Sequence, residues 1–337
     1  MLRRLNHSHP RTYRLLNRLS KRNNIDLINL NVNPSLYDLC SRIYVNFLPN
    51  KKKEITYEIS NMVNDNSNNP KRLYKCYFFW LPYCLTIANK TSKSFMIQLN
   101  ASDWGVENFL SMTSEDPNNL IPDEYAMYES RMLNKISLPK DFSDFEAQWI
   151  KRKSKMFWRG STTGKYINST FDLKDLIRVK ACLSVDDINQ FDMKISHIVQ
   201  NRIPKQIIIQ WLRQHNILSR RVDESKFLMY KYYPDLPGNN ALCGSWGVIR
   251  KYLRGNLVFR PYYKSLMSYD NFLKPWKDFI PLESDFSDLH EKYIWAENNQ
   301  NESIRISWNG FCIAKDYLQN IDEHFMSSAM RNMTILA

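Results

Sequence analysis

Several familiar catalytic signatures are missing from this sequence. There is no G-x-G-x-x-G and no glycine loop closed by G-K-[ST], so motif-level grounds for a dinucleotide or P-loop site are absent. No G-x-S-x-G occurs, and a hydrolase triad has no support. The histidines His7, His9, His197, His215, His290 and His324 form no H-E-x-x-H. The cysteines Cys40, Cys76, Cys84, Cys182, Cys243 and Cys312 are scattered with no C-x-x-C pair, which argues against zinc. They are expected to be reduced thiols, mostly buried. No run of 18 apolar residues exists; the most apolar stretch, Cys76 to Ile87, is short and contains Pro82. The start lacks the apolar core of a secretory signal, so the expected location is cytoplasmic. No internal repeats are visible.

What is present is a folded chain with a basic excess. Its 337 residues suggest two domains, and 43% hydrophobic content excludes a disordered tail. The formal net charge of +13 favours polyanionic partners: nucleic acid, an anionic membrane face or phosphorylated ligands. No recognised nucleic-acid-binding motif accompanies it, so nucleic acid is not the expected partner. The first 25 residues carry Arg3, Arg4, Arg11, Arg14, Arg18, Lys21 and Arg22 without one acidic residue. They read as a solvated basic arm or as a peripheral contact with anionic lipid on the cytoplasmic face.

Short β-branched and aromatic runs predict strands at Ser94–Leu99, Lys155–Trp158, Lys226–Tyr232, Asn256–Phe259 and Phe279–Leu282. Helical patterns fall at Asp141–Lys153 and at Ser287–Trp295, the latter with Asp285 or Ser287 as N-cap. Ile304, Trp308, Phe311 and Cys312 share one helix face, and Tyr317, Ile321 and Phe325 continue it. Polar stretches at Asn64–Asn69 and Thr113–Asn119 read as loops. Strands alternating with helices predict an α/β fold with parallel sheets. The domain boundary is placed in the charged segment Gln148–Ser154, giving domains 1–150 and 151–337, the second closed by the terminal helices.

In open α/β sheets ligands gather at the carboxyl ends of strands, so the following loops hold the candidates. Asp103, just after the first such strand, is a possible general base, with Trp104 beside it able to stack on a sugar. An Asp in an Asn/Ser/Gly-rich loop is usually a turn former. The run Trp158-Arg159-Gly160-Ser161-Thr162-Thr163-Gly164 ends a strand in small residues and a guanidinium, which suits a phosphate or an ordinary glycine turn. Lys231 and Tyr232 feed a loop with Gly238, Asn239 and Asn240, then Gly244 and Ser245 before a helix carrying Arg250. That helix start reads as a diphosphate seat or as a plain capped helix. A fourth segment, Leu273-Lys274-Pro275-Trp276 through Pro281 to Asp285-Phe286-Ser287-Asp288-Leu289, reads as turn, short strand and helix and by itself indicates no chemistry.

Taken in order, the four segments resemble glycosyltransferase family 90, which includes protein O-glucosyltransferases, capsule xylosyltransferases and lipopolysaccharide-modifying enzymes. The shared pattern is an Asp after a strand, W-R-G-S-x-T, K-Y with a glycine-rich loop, L-x-P-W-x-x-x-[IV]-P, and D-[FL]-S-D-L. It covers roughly Met96 to Leu318. The resemblance implies a GT-B-like architecture, two Rossmann-like domains facing a cleft, and an inverting transfer from a UDP-sugar to a hydroxyl in lipopolysaccharide or another surface glycan. It implies Asp103 as base on the N-terminal, acceptor-side domain. It implies donor contacts from Arg159, Gly160, Ser161, Thr163, Arg178, Lys231 and Tyr232 in the C-terminal domain, with Gly244, Ser245 and Arg250 nearby. No Asp-x-Asp occurs, so no metal cofactor is expected and basic groups would meet the diphosphate charge. Ser245 is followed by Trp246 and Gly247 rather than by the family's Ser-x-Arg, Asp278 replaces a usual His, and Gly255-Asn256 replaces Gly-Ser. These departures leave a catalytically degenerate sugar-binding protein as one alternative, and the basic charge leaves a nucleic-acid-binding protein as the other.

Overall fold

The computed structural model describes residues 10–25, 27–48, 53–60, 69–185, 187, 189–239 and 242–336. Arg3, Arg4, most of the Asn64–Asn69 stretch and Asn240 lie outside them. The chain forms two compact units: Met1–Ser130 with Ser265–Ser268 and Gln319–Ala337, and Arg131–Lys264 with Tyr269–Leu318. The boundary thus falls at Ser130/Arg131, before the segment chosen from charge, and the last helix belongs to the first unit.

The first unit is built on a mixed sheet. Its strands are β1 (Leu27–Asn33), β2 (Cys40–Phe47), β3 (Lys53–Ser60), β4 (Phe95–Asn100) and β5 (Leu110–Ser111), with the late β13 (Thr334–Ile335). The order is β1-β3-β2-β4-β13, with β5 on β4. β1 and β3 are parallel, whereas β2 runs antiparallel to both β3 and β4. Period-2 alternation sets the faces: Ile43 lies opposite Tyr57 and Ile97, all three buried. Arg42 lies in the outward row, 3.0 Å from Glu58. Helices α1 (Pro10–Arg22) and α2 (Asn69–Thr91) cover the apolar face, where Tyr77 stacks on Tyr57 at 5.5 Å. The apolar Cys76–Ile87 stretch forms the middle of α2, Pro82 included. A short β6 (Thr113–Ser114) and α3 (Glu124–Met132) follow.

The second unit carries α4 (Phe142–Ile150), β7 (Lys153–Ser161), α5 (Ile177–Leu183), β8 (Phe191–His197), α6 (Lys205–Gln214), β9 (Tyr230–Pro234), α7 (Val248–Leu253), β10 (Leu257–Pro261), β12 (Ile280–Leu282), α8 (Leu289–Asn298) and α9 (Gln300–Gln319). β11 (Leu266–Met267) lies in the Ser265–Ser268 segment of the first unit and pairs with β6 of that same unit. The order β12-β10-β9-β7-β8 is parallel throughout. In order of appearance this is 2-1-3-4-5, a doubly-wound sheet whose switch point lies between β7 and β9. β9 and β10 are buried along their length, as strands covered on both faces must be.

Expected elements shift at their ends for local reasons. Residues 224–229 form a 3₁₀ turn before β9 instead of its first half. α4 keeps its Asp141 cap, which accepts from Asp144 N at 2.9 Å, but stops at Ile150. Beyond it, Arg152 donates to the carbonyls of Arg254 (2.8 Å) and Gly255 (2.5 Å) at the end of α7. α8 starts at Leu289 with Asp288 as the N-cap residue, because Asp285 takes Ser287 N in a turn of its own at 3.0 Å. The terminal helical pattern breaks at Asn320 into α9 and α10 (Ile321–Asn332). Phe325 of α10 packs on Tyr83 of α2 at 4.9 Å, tying this last helix to the first unit. All six cysteines are free, and all but the half-buried Cys312 are buried. No described helix is long and apolar enough to cross a membrane.

Candidate active site

By the switch-point rule, a ligand of the second unit belongs outside the ends of β7 and β9. Arg178 of α5 joins those two ends. Its Nε donates to Pro237 O at 2.7 Å, Nη2 to Leu236 O at 3.3 Å, and Nη1 to Ser161 O and Oγ at 3.3 and 3.2 Å. Its guanidinium lies 5.6 Å from the Trp158 ring. No described carboxylate forms a salt bridge with it. Burial lowers its pKa, while Tyr233 and Asp235 act the other way; an arginine so placed stays protonated at neutral pH. The result is a fixed, half-buried cation facing carbonyls and hydroxyls. The Ser161 and Thr163 hydroxyls hydrogen-bond each other beside it.

Backbone approach completes the corner. A side chain on Gly238 would meet Arg178 Nη2 at 3.4 Å and Thr163 at 3.9 Å. Gln200 bridges the two loops, taking Gly164 N at 2.9 Å and donating to Asn239 Oδ1 at 2.8 Å. Ser161, Thr163 and Arg178 are therefore brought together with Gly238 of the glycine-rich loop, and Gln200 is added.

The other expected donor residues are placed differently. Arg159 is spent within the sheet: it pairs with Asp192 Oδ1 at 2.6 Å and donates to Asp192 O, Trp158 O and Ser219 Oγ. Gly160 makes room for Trp158, whose ring would lie 2.2 Å from an added Cβ. Lys231 and Tyr232 sit in the first half of β9. Lys231 donates to Ser154 Oγ and Gln300 Oε1, both at 2.9 Å, and burial lowers its pKa. Tyr232 donates to Glu297 and accepts from Gln300 at 2.8 Å. Both pin the sheet to α8 and α9 rather than reach its carboxyl ends.

Gly244 and Ser245 fold onto a carboxylate that the sequence did not single out. Asp235, fully buried right after β9, accepts from Ser245 N at 2.8 Å and lies 3.5 Å from Arg260 Nε. Arg260 also pairs with Asp270 at 2.6 Å. A Cβ on Gly244 would sit 2.5 Å from Asp235 Oδ2, so this glycine serves the approach of its own chain to Asp235. Burial raises the pKa of Asp235, with Arg260 opposing. The signal was available: a carboxylate directly after a strand, the same feature that drew attention to Asp103. α7, with Arg250 half-buried in it, has six residues and no side-chain cap at Gly247.

In the first unit, Asp103 follows β4 in a tied loop. Arg72 of α2 pairs with its Oδ1 at 2.7 Å and also donates to Ala101 O. Thr113 Oγ1 donates to Asp103 O at 3.1 Å. The Asp103 side chain is only 12% exposed, whereas Trp104 next to it is 50% exposed. Burial alone would lower the Arg72 pKa, but Asp103, with smaller contributions from Cys76 and Glu124, outweighs it and the value is raised. No sequence pattern marks Arg72, because only the docking of α2 on the sheet brings it to Asp103. No group of three or more His, Cys, Asp or Glu side chains arranged to hold a metal occurs among the described residues.

The profile of the family described as "Glycosyl transferase family 90" matches residues 138–324. Protein O-glucosyltransferase 3 of Homo sapiens is 33% identical over 96 residues, 28% of this chain and 18% of that protein. Protein O-glucosyltransferase 2 of Danio rerio is 25% identical over 243 residues, 65% of this chain and 43% of that protein. The matched segments thus span less than half the length of each of these relatives. Among solved structures, the catalytic domain of cholesterol-α-glucosyltransferase from Helicobacter pylori is similar with a TM-score of 0.31 at 14% identity, over 48% of this chain and 98% of that one. Anabaena HepE in complex with UDP and glucose gives 0.34 at 12%, over 57% and 52%.

Proposed function

The chain belongs to glycosyl transferase family 90, and we propose that it moves a hexose or pentose from a UDP-sugar to a hydroxyl of a glycan or glycolipid acceptor, with inversion. One observation carries the donor side: Arg178 holds a cation with no salt-bridge partner among the described residues where the loops after β7 and β9 meet. A diphosphate supplies the missing anion, and the Ser161 and Thr163 hydroxyls supply hydrogen bonds to it. Charge developing on the departing UDP is met by a preorganised guanidinium, which needs no reorganisation as the bond breaks. A metal is not required in this reading. Arg250, in the first turn of α7, is the next candidate for a phosphate contact.

On the acceptor side, Asp103 takes the proton of the attacking hydroxyl. Its support is geometric: the Arg72 pair at 2.7 Å fixes the carboxylate in the loop after β4, where a general base can be held in one orientation. Exposed Trp104 offers a face for a sugar ring. The matched relatives are named for glucosyl transfer to proteins, which makes UDP-glucose the first donor to test. A surface glycan such as lipopolysaccharide is the proposed acceptor class.

The test is Asp103→Asn. Transfer from UDP-glucose, UDP-xylose or UDP-galactose is expected to fall by about 10²–10⁴-fold, as for removal of a general base. UDP affinity is expected to stay at the wild-type value. Wild-type turnover in the Asn variant removes Asp103 from the base role. No turnover by the wild type with any donor, despite UDP binding, favours a sugar-binding protein without catalysis.

A further inference from the structure

A cavity of about 550 Å³ opens at the edge of the second sheet, apart from the residues assigned above to donor and base. β8 is the edge strand, and a parallel bridge from Ile195 to Leu218 adds the next stretch of chain beside it. Lys194 and Ser196 lie on one face of β8. α6 flanks them with Lys205, Ile209 and Arg213, spaced four apart and so on one helix face. Ile208 and Leu212 of the same helix are buried, which fixes the cationic stripe toward the cavity. Arg220 closes the rim and His197 lines it as well.

Four basic side chains, Lys194, Lys205, Arg213 and Arg220, line the cavity and no acidic residue does. The nearest carboxylate along β8, Asp192, is already paired with Arg159 at 2.6 Å. Lys205, Arg213 and Arg220 have no carboxylate partner among the described residues. The pKa of His197 is lowered by desolvation, then by Arg221 and Lys205, which reports the same positive field. Like charges gathered in a concavity repel each other and focus a potential that an anion relieves. Ile198, Ile209 and Leu218 supply an apolar floor between the cations.

We propose that this cavity is a second anion site, which takes a phosphate group carried on an apolar body. Its source is either a phospholipid headgroup or a free alkyl phosphate, and both present the same chemistry. Its lining shares no residue with the loops that Arg178 joins, although Ser196 Oγ donates to Gly160 O at 3.2 Å and His197 O accepts from Thr162 N at 3.0 Å.

Calorimetry with octyl phosphate and with inorganic phosphate forms one arm of the test. Co-sedimentation with phosphatidylglycerol against phosphatidylcholine vesicles forms the other. The variant is Lys205→Glu with Arg213→Glu, both exposed on α6. The control is the charge-matched Lys90→Glu with Lys277→Glu, exposed elsewhere. Saturable octyl phosphate binding, tighter than inorganic phosphate and lost at least tenfold in the α6 variant but not in the control, supports the proposal and assigns a free alkyl phosphate. Sedimentation with phosphatidylglycerol that follows the same pattern supports it and assigns a lipid. Equal loss in both double variants means diffuse surface charge, and absence of binding in both arms leaves no site; either overturns it. Loss of UDP binding in the α6 variant also overturns it, because the cavity then belongs to the donor.

Discussion

Lys251 shows what burial does to a single charge in this protein. It is 4% exposed in α7, its ammonium lies 3.4 Å from the centre of the Phe227 ring, and Glu224 is its ion-pair partner. Desolvation pulls its pKa down to about 8, and Glu224 opposes only part of that. In the unfolded chain the same lysine titrates near its ordinary value, about 10.4. Above about pH 8 the unfolded state therefore holds more protons than the folded one, so stability rises with pH across that window. Lys251→Met lacks this dependence. The stability of the wild type relative to the Met variant should increase by ~1–2 kcal/mol between about pH 7.5 and pH 9.5. Urea unfolding of both proteins at the two pH values measures it. A difference that stays flat places the ammonium in water-like surroundings.

At the scale of elements, the stop of α7 is set by one glycine. Gly255 N donates to Tyr252 O at 2.8 Å and Asn256 N to Lys251 O at 3.0 Å, the paired bonds of a Schellman turn. That turn needs the left-handed backbone found at Gly255, φ +70°. A Cβ there would also meet the Phe145 ring at 2.5 Å. Gly255→Ala should cost ~2–4 kcal/mol from strain and overpacking together. Gly247, at the other end of the same helix, has φ −99° and nothing within 4 Å of an added Cβ. Gly247→Ala should stay within ~0.5 kcal/mol. Thermal unfolding of the two variants compares them directly, and equal losses contradict the argument.

The same scale explains what the chain discloses before folding. β4, β7, β10 and β12 lie in compact apolar or aromatic runs, so composition alone reveals them. β1 to β3 do not stand out, because a mixed sheet with one outward row interleaves Asn, Glu, Thr and Lys with its apolar residues. α2 is apolar around much of its circumference and holds Pro82, which reads as a breaker in sequence yet sits inside the helix. At the site, Ser161 and Thr163 are legible as small polar residues at a strand end, and Arg178 only through the family pattern. Arg72 and the Asp235–Arg260–Asp270 cluster depend on which elements meet in space, which spacing along one chain does not encode.

At the scale of the molecule, the two units make ligand binding local. Ser161, Thr163, Arg178, Gly238 and Gln200 all belong to the second unit. A ligand that binds only a folded state stabilises it by RT ln(1 + [L]/Kd), about 2.7 kcal/mol at a hundredfold excess over Kd. For a unit of this size each kcal/mol moves the midpoint by roughly 2–4 °C, so UDP should raise it by roughly 5–10 °C. If the units melt separately, only the transition of the second moves, and the first serves as an internal reference. Arg178→Ala should abolish that shift measured from its own baseline. Arg178→Lys, which keeps the charge but loses the fork that reaches three carbonyls, should retain a fraction of it. A full UDP shift in the alanine variant would mean that the diphosphate is held elsewhere in the chain.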